Sequence, residues 1–230
     1  MSIKKILAIA SAKGGVGKSS IAALSALILN KDHNIGILDA DIYGPNQHIL
    51  FKVNDLKLKT ISKKNKNYFK PLIANNIKIS SMGSIIESSK AALWRGPMLS
   101  SSIKQLMHST DWGDLDLLII DMPPGTGDAY LTACKEVEID AAILVTTPNY
   151  LSIKDTIKSI DLFTKFKIPI IGYIENQVSN YDDNNNYEFD PNIPKISTIP
   201  FDESIYNMEF NHLNKFNDLK KFLDDFIAYE

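Results

Sequence analysis

The chain has 230 residues, of which 44% are hydrophobic and 23% are charged, and its formal net charge is −2. This length suits one α/β domain with a full core, and the near-neutral charge argues against a bulk nucleic-acid-binding protein. The one cysteine, Cys134, excludes an intrachain disulfide and a metal site built from cysteines alone. Because no segment approaches the roughly 20 consecutive apolar residues of a membrane span, we expect a cytoplasmic protein without membrane partners.

Short apolar runs alternate with helical patterns, which predicts a doubly wound, mostly parallel α/β sheet with helices on both faces. In the first half, the expected elements in chain order are a strand over residues 3–10, a helix over 19–29, a strand over 34–39, a strand over 77–82 and a helix over 98–107. In the second half they are a strand over 115–121, a helix over 128–137, a strand over 141–146, a helix over 152–166, a strand over 169–175 and a strand over 196–199. Together they predict a single domain over residues 1–230.

Three segments depart from this alternation. Residues 44–76 are rich in Lys and Asn, and we expect them to form an inserted loop with a small hairpin. Residues 179–194 contain an Asp/Asn run and two prolines, which predicts a polar loop. Apolar residues recur on one helical face of residues 215–230, which predicts a C-terminal helix that packs on the core. Ser152 is the expected N-cap of the helix that begins there.

The strongest motif is Lys13-Gly14-Gly15-Val16-Gly17-Lys18-Ser19. It follows a predicted strand and opens a predicted helix, which is the context that a P-loop requires. Glycines let main-chain N–H groups turn toward phosphate oxygens, and the helix N-terminus adds positive potential. Lys18 is expected to reach the outer phosphates of ATP, and the Ser19 hydroxyl to bind Mg²⁺. The expected nucleotide contacts are Gly14, Gly15, Val16, Gly17, Lys18, Ser19 and Ser20.

Lys13 stands immediately before the glycines of this loop. From the loop alone, a solvated surface lysine is an equally good interpretation. The position also resembles the deviant Walker A motif of the ParA, MinD and nitrogenase-iron-protein superfamily. In that superfamily the early lysine reaches across a dimer interface to the partner's nucleotide. The resemblance therefore implies a catalytic role for Lys13 and a homodimer.

Asp39 ends the second predicted strand, and Asp41 follows two residues later in the stretch Asp39-Ala40-Asp41-Ile42-Tyr43-Gly44-Pro45-Asn46. In a parallel sheet, the end of this strand is expected beside the P-loop, where Mg²⁺ and the attacking water are bound. Asp41 is our candidate for orienting that water, and Asp39 for supporting Mg²⁺ without binding it directly. An acidic turn with no catalytic role is the alternative.

Asp121 ends the most apolar predicted strand and precedes Met122-Pro123-Pro124-Gly125-Thr126-Gly127-Asp128. An acid at such a strand end occupies the Walker B position, which holds Mg²⁺ through water. The Pro-Pro-Gly-Thr-Gly stretch is expected to present N–H groups near the γ-phosphate and to act as a switch that distinguishes ATP from ADP. Asp128 either belongs to this switch or caps the following helix.

Weaker signals concern the nucleotide base. Asn176 directly follows the strand predicted over 169–175, and its amide can pair with the edge of the adenine ring. Pro200 and Asp202 are expected on the other side of the base, although ordinary turn residues are an equal alternative. Arg95 follows Trp94 and could contact a phosphate, contact a partner subunit or anchor a loop.

The motifs KGGVGKS, DADIYGPN, WRGPM, DWGDLDLLIIDMPPGTGD and LVTTP, followed by Glu175-Asn176, occur in one order over residues 5–202. In this order they resemble the Mrp/ApbC family of P-loop ATPases. The resemblance implies a homodimeric ATPase that carries or assembles a [4Fe–4S] cluster and serves iron–sulfur apoproteins or scaffold proteins. Members of that family hold the cluster on a Cys-x-x-Cys pair.

The corresponding stretch of this chain, residues 177–186, contains no cysteine. Iron–sulfur clusters need thiolate ligands. Cys134 lies in a predicted helix, where we expect it to be a small buried side chain. The ligand chemistry therefore argues against cluster binding by this chain, whereas the residues for ATP and Mg²⁺ are present.

Two alternatives to a cluster-carrier ATPase remain open, namely a MinD- or ParA-like positioning ATPase and a nucleotide-switched binding module. Positioning ATPases usually carry a basic amphipathic tail or basic patches. Residues 215–230 contain Lys220 and Lys221, but acidic residues outnumber them. This composition argues against a tail that binds an anionic membrane.

Overall fold

The structure is a computed structural model, which describes residues 2–63, 66–85, 96–179, 189–207 and 209–229. Its strands are β1 (Ile3–Ala10), β2 (Ile35–Asp39), β3 (Lys59–Lys63), β4 (Lys66–Lys70), β5 (Leu72–Ala74), β6 (Ile77–Ser81), β7 (Leu115–Asp121), β8 (Ala141–Thr146), β9 (Ile170–Val178) and β10 (Lys195–Pro200). Its helices are α1 (Lys18–Leu29), α2 (Gln47–Leu50), α3 (Gly96–Ser109), α4 (Asp128–Glu136), α5 (Tyr150–Lys165), α6 (Glu203–Tyr206) and α7 (Asn217–Ala228). Short 3₁₀ turns cover Met82–Ser84 and Leu213–Phe216.

Eight strands form one sheet in the order β10-β9-β8-β1-β7-β2-β6-β5. Neighbouring strands are parallel except at the edge, where β5 runs antiparallel to β6. This confirms the predicted doubly wound, mostly parallel α/β fold. Because the carboxyl ends of parallel strands meet at one edge of a sheet, the loops after β1, β2 and β7 lie side by side there.

The central strand β1 divides the core between the two faces of the sheet. Leu7 and Ile9 pack on the face covered by α1 and α7, whereas Ala8 and Ala10 pack on the face covered by α3, α4 and α5. All four side chains are fully buried. Such a strand, apolar on both faces, is typical of a parallel sheet covered by helices on each side.

The inserted segment contains the predicted hairpin, formed by β3 and β4 as an antiparallel pair. The sequence prediction missed two further elements in this segment. The short helix α2 follows the acidic loop after β2, and β5 extends the main sheet by pairing with β6. Both are short, and short elements give too little periodicity to be recognised in a sequence.

One predicted helix cap is wrong, and one of the two alternatives for Asp128 is excluded. The side chain of Asn149 caps α5 by accepting a hydrogen bond from the main-chain N–H of Ser152 at 2.9 Å. Ser152 therefore lies inside the first turn, and its hydroxyl is 3.0 Å from that of Thr146. Gly127 precedes α4, so Asp128 is the first residue of that helix and makes no cap. Helix α3 also begins earlier than predicted, at Gly96.

The C-terminal helix α7 packs on the core, as the spacing of its apolar residues predicted. Leu219 and Leu223 are fully buried in the cluster that includes α1. On the polar side, the Lys220 ammonium lies 2.8 Å from carboxylates of both Asp32 and Asp224. Among the residues described, no helix combines the length and apolar character that crossing a bilayer requires.

Candidate functional site

The loop between β1 and α1 presents a helix N-terminus to an open cavity. Gly17 is the N-cap of α1 and supplies no side chain, and the first turn of this helix contains no acidic residue. Its first N–H groups and their positive potential therefore face a cavity of about 290 Å³. This arrangement suits an anion such as phosphate.

The cavity brings most of the predicted phosphate-site residues together. Its lining comprises Ser11, Lys13, Gly14, Gly15, Gly17, Lys18, Ser19, Ser20, Asp41, Asn46, Ile49, Leu50 and Pro124. Val16 is buried and is not part of the lining. A larger cavity, of about 700 Å³, opens at the other end of α1 beside Asn30 and Lys31, but it contains none of the motif residues.

The loop depends on glycine where it turns toward the cavity. Gly17 has φ +85°, and a Cβ atom there would lie 2.2 Å from Nδ2 of Asn176. That nitrogen donates to the main-chain carbonyl of Val16 at 2.8 Å, and Asn176 is almost completely buried. Asn176, which we predicted as an adenine contact, therefore also supports the phosphate loop.

A buried ion pair lies beneath the cavity. The Lys18 ammonium contacts Oδ1 of Asp121, and the side chains are 6% and 0% exposed. The same ammonium is 3.4 Å from the Ser19 hydroxyl. Because a buried cation needs a counter-charge, Asp121 supplies one when no phosphate is bound. The two predicted motif residues are thus in direct contact.

Asp39 organises the loop after β2. It lies opposite Asp121 in the pairing of β2 with β7. Its Oδ2 accepts hydrogen bonds from the main-chain N–H groups of Asn46 and Gln47, both at 3.0 Å, and from the Ser81 hydroxyl at 2.9 Å. Complete burial, and then the charge of Asp121, raise the pKa of Asp39 well above its ordinary value.

Asp41 lies in the wall of the cavity, where the sequence predicted a residue that orients water. Its side chain is 8% exposed. Oδ1 accepts a hydrogen bond from the main-chain N–H of Gly44 at 3.1 Å. Burial raises the pKa of Asp41 above its ordinary value. The carboxylate borders the cavity and can interact with a molecule there.

Gln47 belongs to this charged cluster, although no motif pointed to it. The side chain is fully buried, and its Nε2 donates to Oδ2 of Asp121 at 2.7 Å and to the Ser19 carbonyl at 3.0 Å. The only signal in the sequence is a polar residue directly after the acidic loop. Its contacts depend on tertiary structure, so sequence spacing could not reveal them.

The donor set fits Mg²⁺ bound together with phosphate. Ser19 offers a hydroxyl at the cavity, and Asp121 and Asp39 offer carboxylates behind it. Oxygen ligands suit Mg²⁺, which usually keeps several waters and uses few protein ligands. Within the described ranges, no group of three or more His, Cys, Asp or Glu side chains is arranged to hold a metal by itself.

A second, smaller cavity of about 90 Å³ adjoins the phosphate cavity and shares Gly17 and Ser20 with it. Asn176, Pro200 and Asp202 meet here, where the base was expected. Asp202 also caps α6, because Oδ1 accepts from the main-chain N–H and the hydroxyl of Ser204. These hydrogen bonds, led by the one from the hydroxyl, lower the pKa of Asp202 to about 2.

The loop after β7 lies against the phosphate loop. Pro124 lines the phosphate cavity, and a Cβ atom on Gly125 would be 4.0 Å from the Ala12 carbonyl. Asp128 is exposed at the start of α4. Arg95 and residues 180–188 of the predicted polar loop lie outside the described residues.

Two further predicted residues have contrasting surroundings. Lys13 borders the cavity, and its ammonium makes no ion pair with any carboxylate that the structure describes. Cys134 is buried in α4, and burial raises the pKa of its thiol to about 12. A thiol with such a pKa is a poor metal ligand, because ligation requires the thiolate.

Comparison with protein families gives one match that covers most of the chain. Residues 2–197 match the ParA family described as NUBPL iron-transfer P-loop NTPase. An iron–sulfur cluster carrier protein of Rickettsia bellii is 43% identical over 208 residues, which are 89% of this chain and 64% of that protein. The iron–sulfur cluster transfer protein NUBPL of Dictyostelium discoideum is 42% identical over 176 residues, 76% of this chain and 54% of that protein. The chain thus spans between 54% and 64% of the length of these relatives.

Solved structures support the same fold. A nucleotide-binding protein from Archaeoglobus fulgidus in complex with ADP superposes with a TM-score of 0.71 at 27% identity, over 90% of this chain and 86% of that one. The cell division ATPase MinD of Pyrococcus furiosus superposes with a TM-score of 0.69 at 19% identity, over 97% and 99% of the two chains. The second likeness concerns the fold alone.

Proposed function

Because the chain belongs to the ParA family of NUBPL-type iron-transfer P-loop NTPases, we propose that it binds and hydrolyses MgATP as a homodimer and serves iron–sulfur protein assembly. One observation carries the proposal. The uncapped N-terminus of α1, the Lys18 ammonium and the Asp41 carboxylate converge on one cavity. That combination supplies positive potential for phosphate and a hydrogen-bond acceptor that can orient water at the same place.

Each residue has a distinct role in the proposed reaction. The N–H groups of the loop and Lys18 neutralise phosphate charge, and Lys18 exchanges Asp121 for phosphate oxygens. The Ser19 hydroxyl would bind Mg²⁺ directly, and Asp121 would support the bound ion. Asp41 orients the attacking water by accepting its hydrogen bond. Mg²⁺, when bound, supplies charge neutralisation for the phosphates.

Surface features next to the cavity support the homodimer. Lys13 is free of carboxylate partners among the described residues and borders the phosphate site. Tyr43 and Leu151 follow β2 and β8 at the same edge of the sheet and are 58% and 66% exposed. Exposed apolar side chains of this size favour an interface with another subunit. We infer that the partner covers this edge and that Lys13 contacts its nucleotide.

The nature of the iron–sulfur role follows from the thiol chemistry. Relatives are named as carriers or transfer proteins of iron–sulfur clusters. Two copies of this chain would offer only their two Cys134 thiols, and these are buried in the structure. We infer that this chain holds no cluster on its own cysteines and acts on a cluster whose ligands come from an apoprotein or scaffold partner.

ATP binding and turnover are measured most directly with the purified chain. We expect calorimetry with MgATP to give saturable binding, and phosphate release to be slow and to require Mg²⁺. A chain that binds no nucleotide under these conditions would contradict the proposal. The inference on iron is tested separately by anaerobic purification followed by iron and sulfide analysis. We expect no stoichiometric iron, and a stable [4Fe–4S] spectrum that survives Cys134→Ala would overturn the ligand argument.

A positioning ATPase of the MinD or ParA kind is the alternative function. It would need a tail that binds a membrane or DNA, whereas α7 packs its apolar face into the core. Cosedimentation with anionic liposomes or with DNA in the presence of ATP distinguishes the two. We propose that the chain sediments with neither and works in the cytoplasm.

A further inference from the structure

Gln47 forms hydrogen bonds with one residue from each of the three motifs of the site. Its Nε2 donates to Oδ2 of Asp121 at 2.7 Å and to the Ser19 carbonyl at 3.0 Å. Its main-chain N–H donates to Oδ2 of Asp39 at 3.0 Å. One fully buried residue therefore connects the end of β2, the end of β7 and the first turn of α1.

Only one orientation of the Gln47 carboxamide fits these contacts. The Asp121 carboxylate and the Ser19 carbonyl both accept hydrogen bonds, so the amino group must face them. The carbonyl oxygen Oε1 is then a buried acceptor, and it has no partner among the described residues. An unsatisfied buried acceptor is unfavourable. A glutamine is therefore poorly suited to stability alone here, and the contacts of its amino group are the ones that can serve the site.

The two oxygens of Asp121 have different partners. Lys18 contacts Oδ1, and Gln47 contacts Oδ2. When Lys18 turns to phosphate, as the proposed function requires, Oδ1 becomes free while Gln47 still holds Oδ2. A carboxylate fixed at one oxygen and free at the other can accept from a metal-bound water in a constant direction.

We propose that Gln47 is a positioning residue for the Mg²⁺ site: it holds Asp121 after Lys18 has left. The inference rests on the proposed binding of MgATP. It deepens that proposal by assigning the Mg²⁺ dependence of nucleotide binding to a residue outside the recognised motifs.

Calorimetry with ATP, first in EDTA and then over a series of Mg²⁺ concentrations, tests the role of Gln47. Gln47→Met has similar length but no polar atoms. We expect the affinity of this variant for ATP in EDTA to stay close to that of the wild type. The Mg²⁺ concentration that gives half of the maximal increase in ATP affinity should rise about tenfold or more. Gln47→Asn keeps the amide but is too short to reach both acceptors, so its Mg²⁺ requirement should also rise. This variant replaces Gln47→Met if Gln47→Met does not fold.

Gln105→Met is the matched control, because Gln105 is exposed on α3 and should leave both values unchanged. If the Gln47 variants lose affinity equally with and without Mg²⁺, Gln47 only stabilises the site and the proposal is overturned. An unchanged Mg²⁺ requirement overturns it as well. A wild-type chain that binds no ATP, or binds it equally without Mg²⁺, contradicts the proposed function itself and the role of Gln47 with it.

Discussion

Charged residues are arranged in opposite ways at the phosphate cavity and in the β3–β4 hairpin. Beneath the cavity, Lys18 and Asp121 are buried in mutual contact, and Asp39 accepts several hydrogen bonds. In the hairpin, Lys59 lies opposite Lys70 across the strands. Lys63 and Lys66 are paired in the same way, and all four lysines are exposed.

The contrast shows that burial, more than the number of charges, decides what a charge does. A buried ion without a partner is strongly destabilising, so every member of the cavity cluster has a defined neighbour and a defined position. Facing lysines in water repel one another weakly, because solvent and salt screen them. Substitutions in the cavity should therefore have large and specific effects, whereas substitutions in the hairpin should have small effects on stability alone.

Lys18→Ala should break the buried cluster most severely. It removes the cation that faces phosphate and leaves Asp121 buried without a counter-charge. We expect almost no ATP binding by calorimetry, and a free energy of unfolding lower by about 3–5 kcal/mol in urea titration. Lys221→Ala, on the exposed side of α7, is the control and should change neither value. Unchanged nucleotide affinity in Lys18→Ala would count decisively against the proposed role of the loop.

Asp41→Asn should separate binding from chemistry within the cavity. The amide oxygen can still accept the hydrogen bond from Gly44, so the loop and ATP affinity should be preserved. Hydrolysis should slow by roughly 10²-fold or more, because the carboxylate acts on water only during the reaction. Single-turnover phosphate release on pre-bound ATP measures this. If affinity collapses while turnover of bound ATP is unchanged, Asp41 is a binding residue.

Lys13→Ala tests a charge that borders the cavity and has no ion-pair partner within the described part of the chain. We expect ATP-dependent dimerisation to weaken, and hydrolysis to fall by roughly tenfold or more, since a cation supplied to a partner's phosphates acts mainly in the transition state. Nucleotide binding by one subunit should change less. Analytical ultracentrifugation with and without ATP gives the dimer fraction. Equal losses in monomer binding and dimerisation would assign Lys13 to its own subunit's nucleotide.

Lys70→Glu tests the hairpin, where we expect the smallest effect. It places an opposite charge across from Lys59 and should raise the free energy of unfolding by about 0.2–1 kcal/mol at low salt. The gain should shrink as salt is added. ATP affinity should be unaffected. If Lys70→Glu lowers the free energy of unfolding at low salt, Lys70 makes other contacts that stabilise the hairpin.

The fold and the phosphate loop could be predicted from the sequence because both depend on local sequence patterns. Apolar runs of regular length predicted β1, β7 and β8 with their observed bounds. Acidic residues at the ends of two strands predicted the edge of the sheet at which Asp39 and Asp121 lie. These signals come from residues that are neighbours in the chain, and for such residues spacing and residue type determine the local structure.

The network behind the cavity could not be predicted in the same way. The amide of Gln47 reaches Asp121, and Asn176 supports Val16 through a hydrogen bond between distant parts of the chain. Such contacts depend on how α2 and β9 pack, and no short-range pattern encodes that. The cap of α5 was predicted three residues too late, at Ser152, because Asn149 and Ser152 are both polar residues that can cap a helix.

The central place of β1 has a consequence for how the molecule opens. Strand pairs on both sides protect the main-chain amides of β1, whereas β5 and β10 lie at the edges of the sheet. Local opening proceeds from weakly protected edges, so amide hydrogens of the edge strands should exchange with deuterium long before those of β1. The phosphate loop directly follows β1, the strand that we expect to exchange slowly. The outer strands can therefore fray and re-form while the loop keeps its shape.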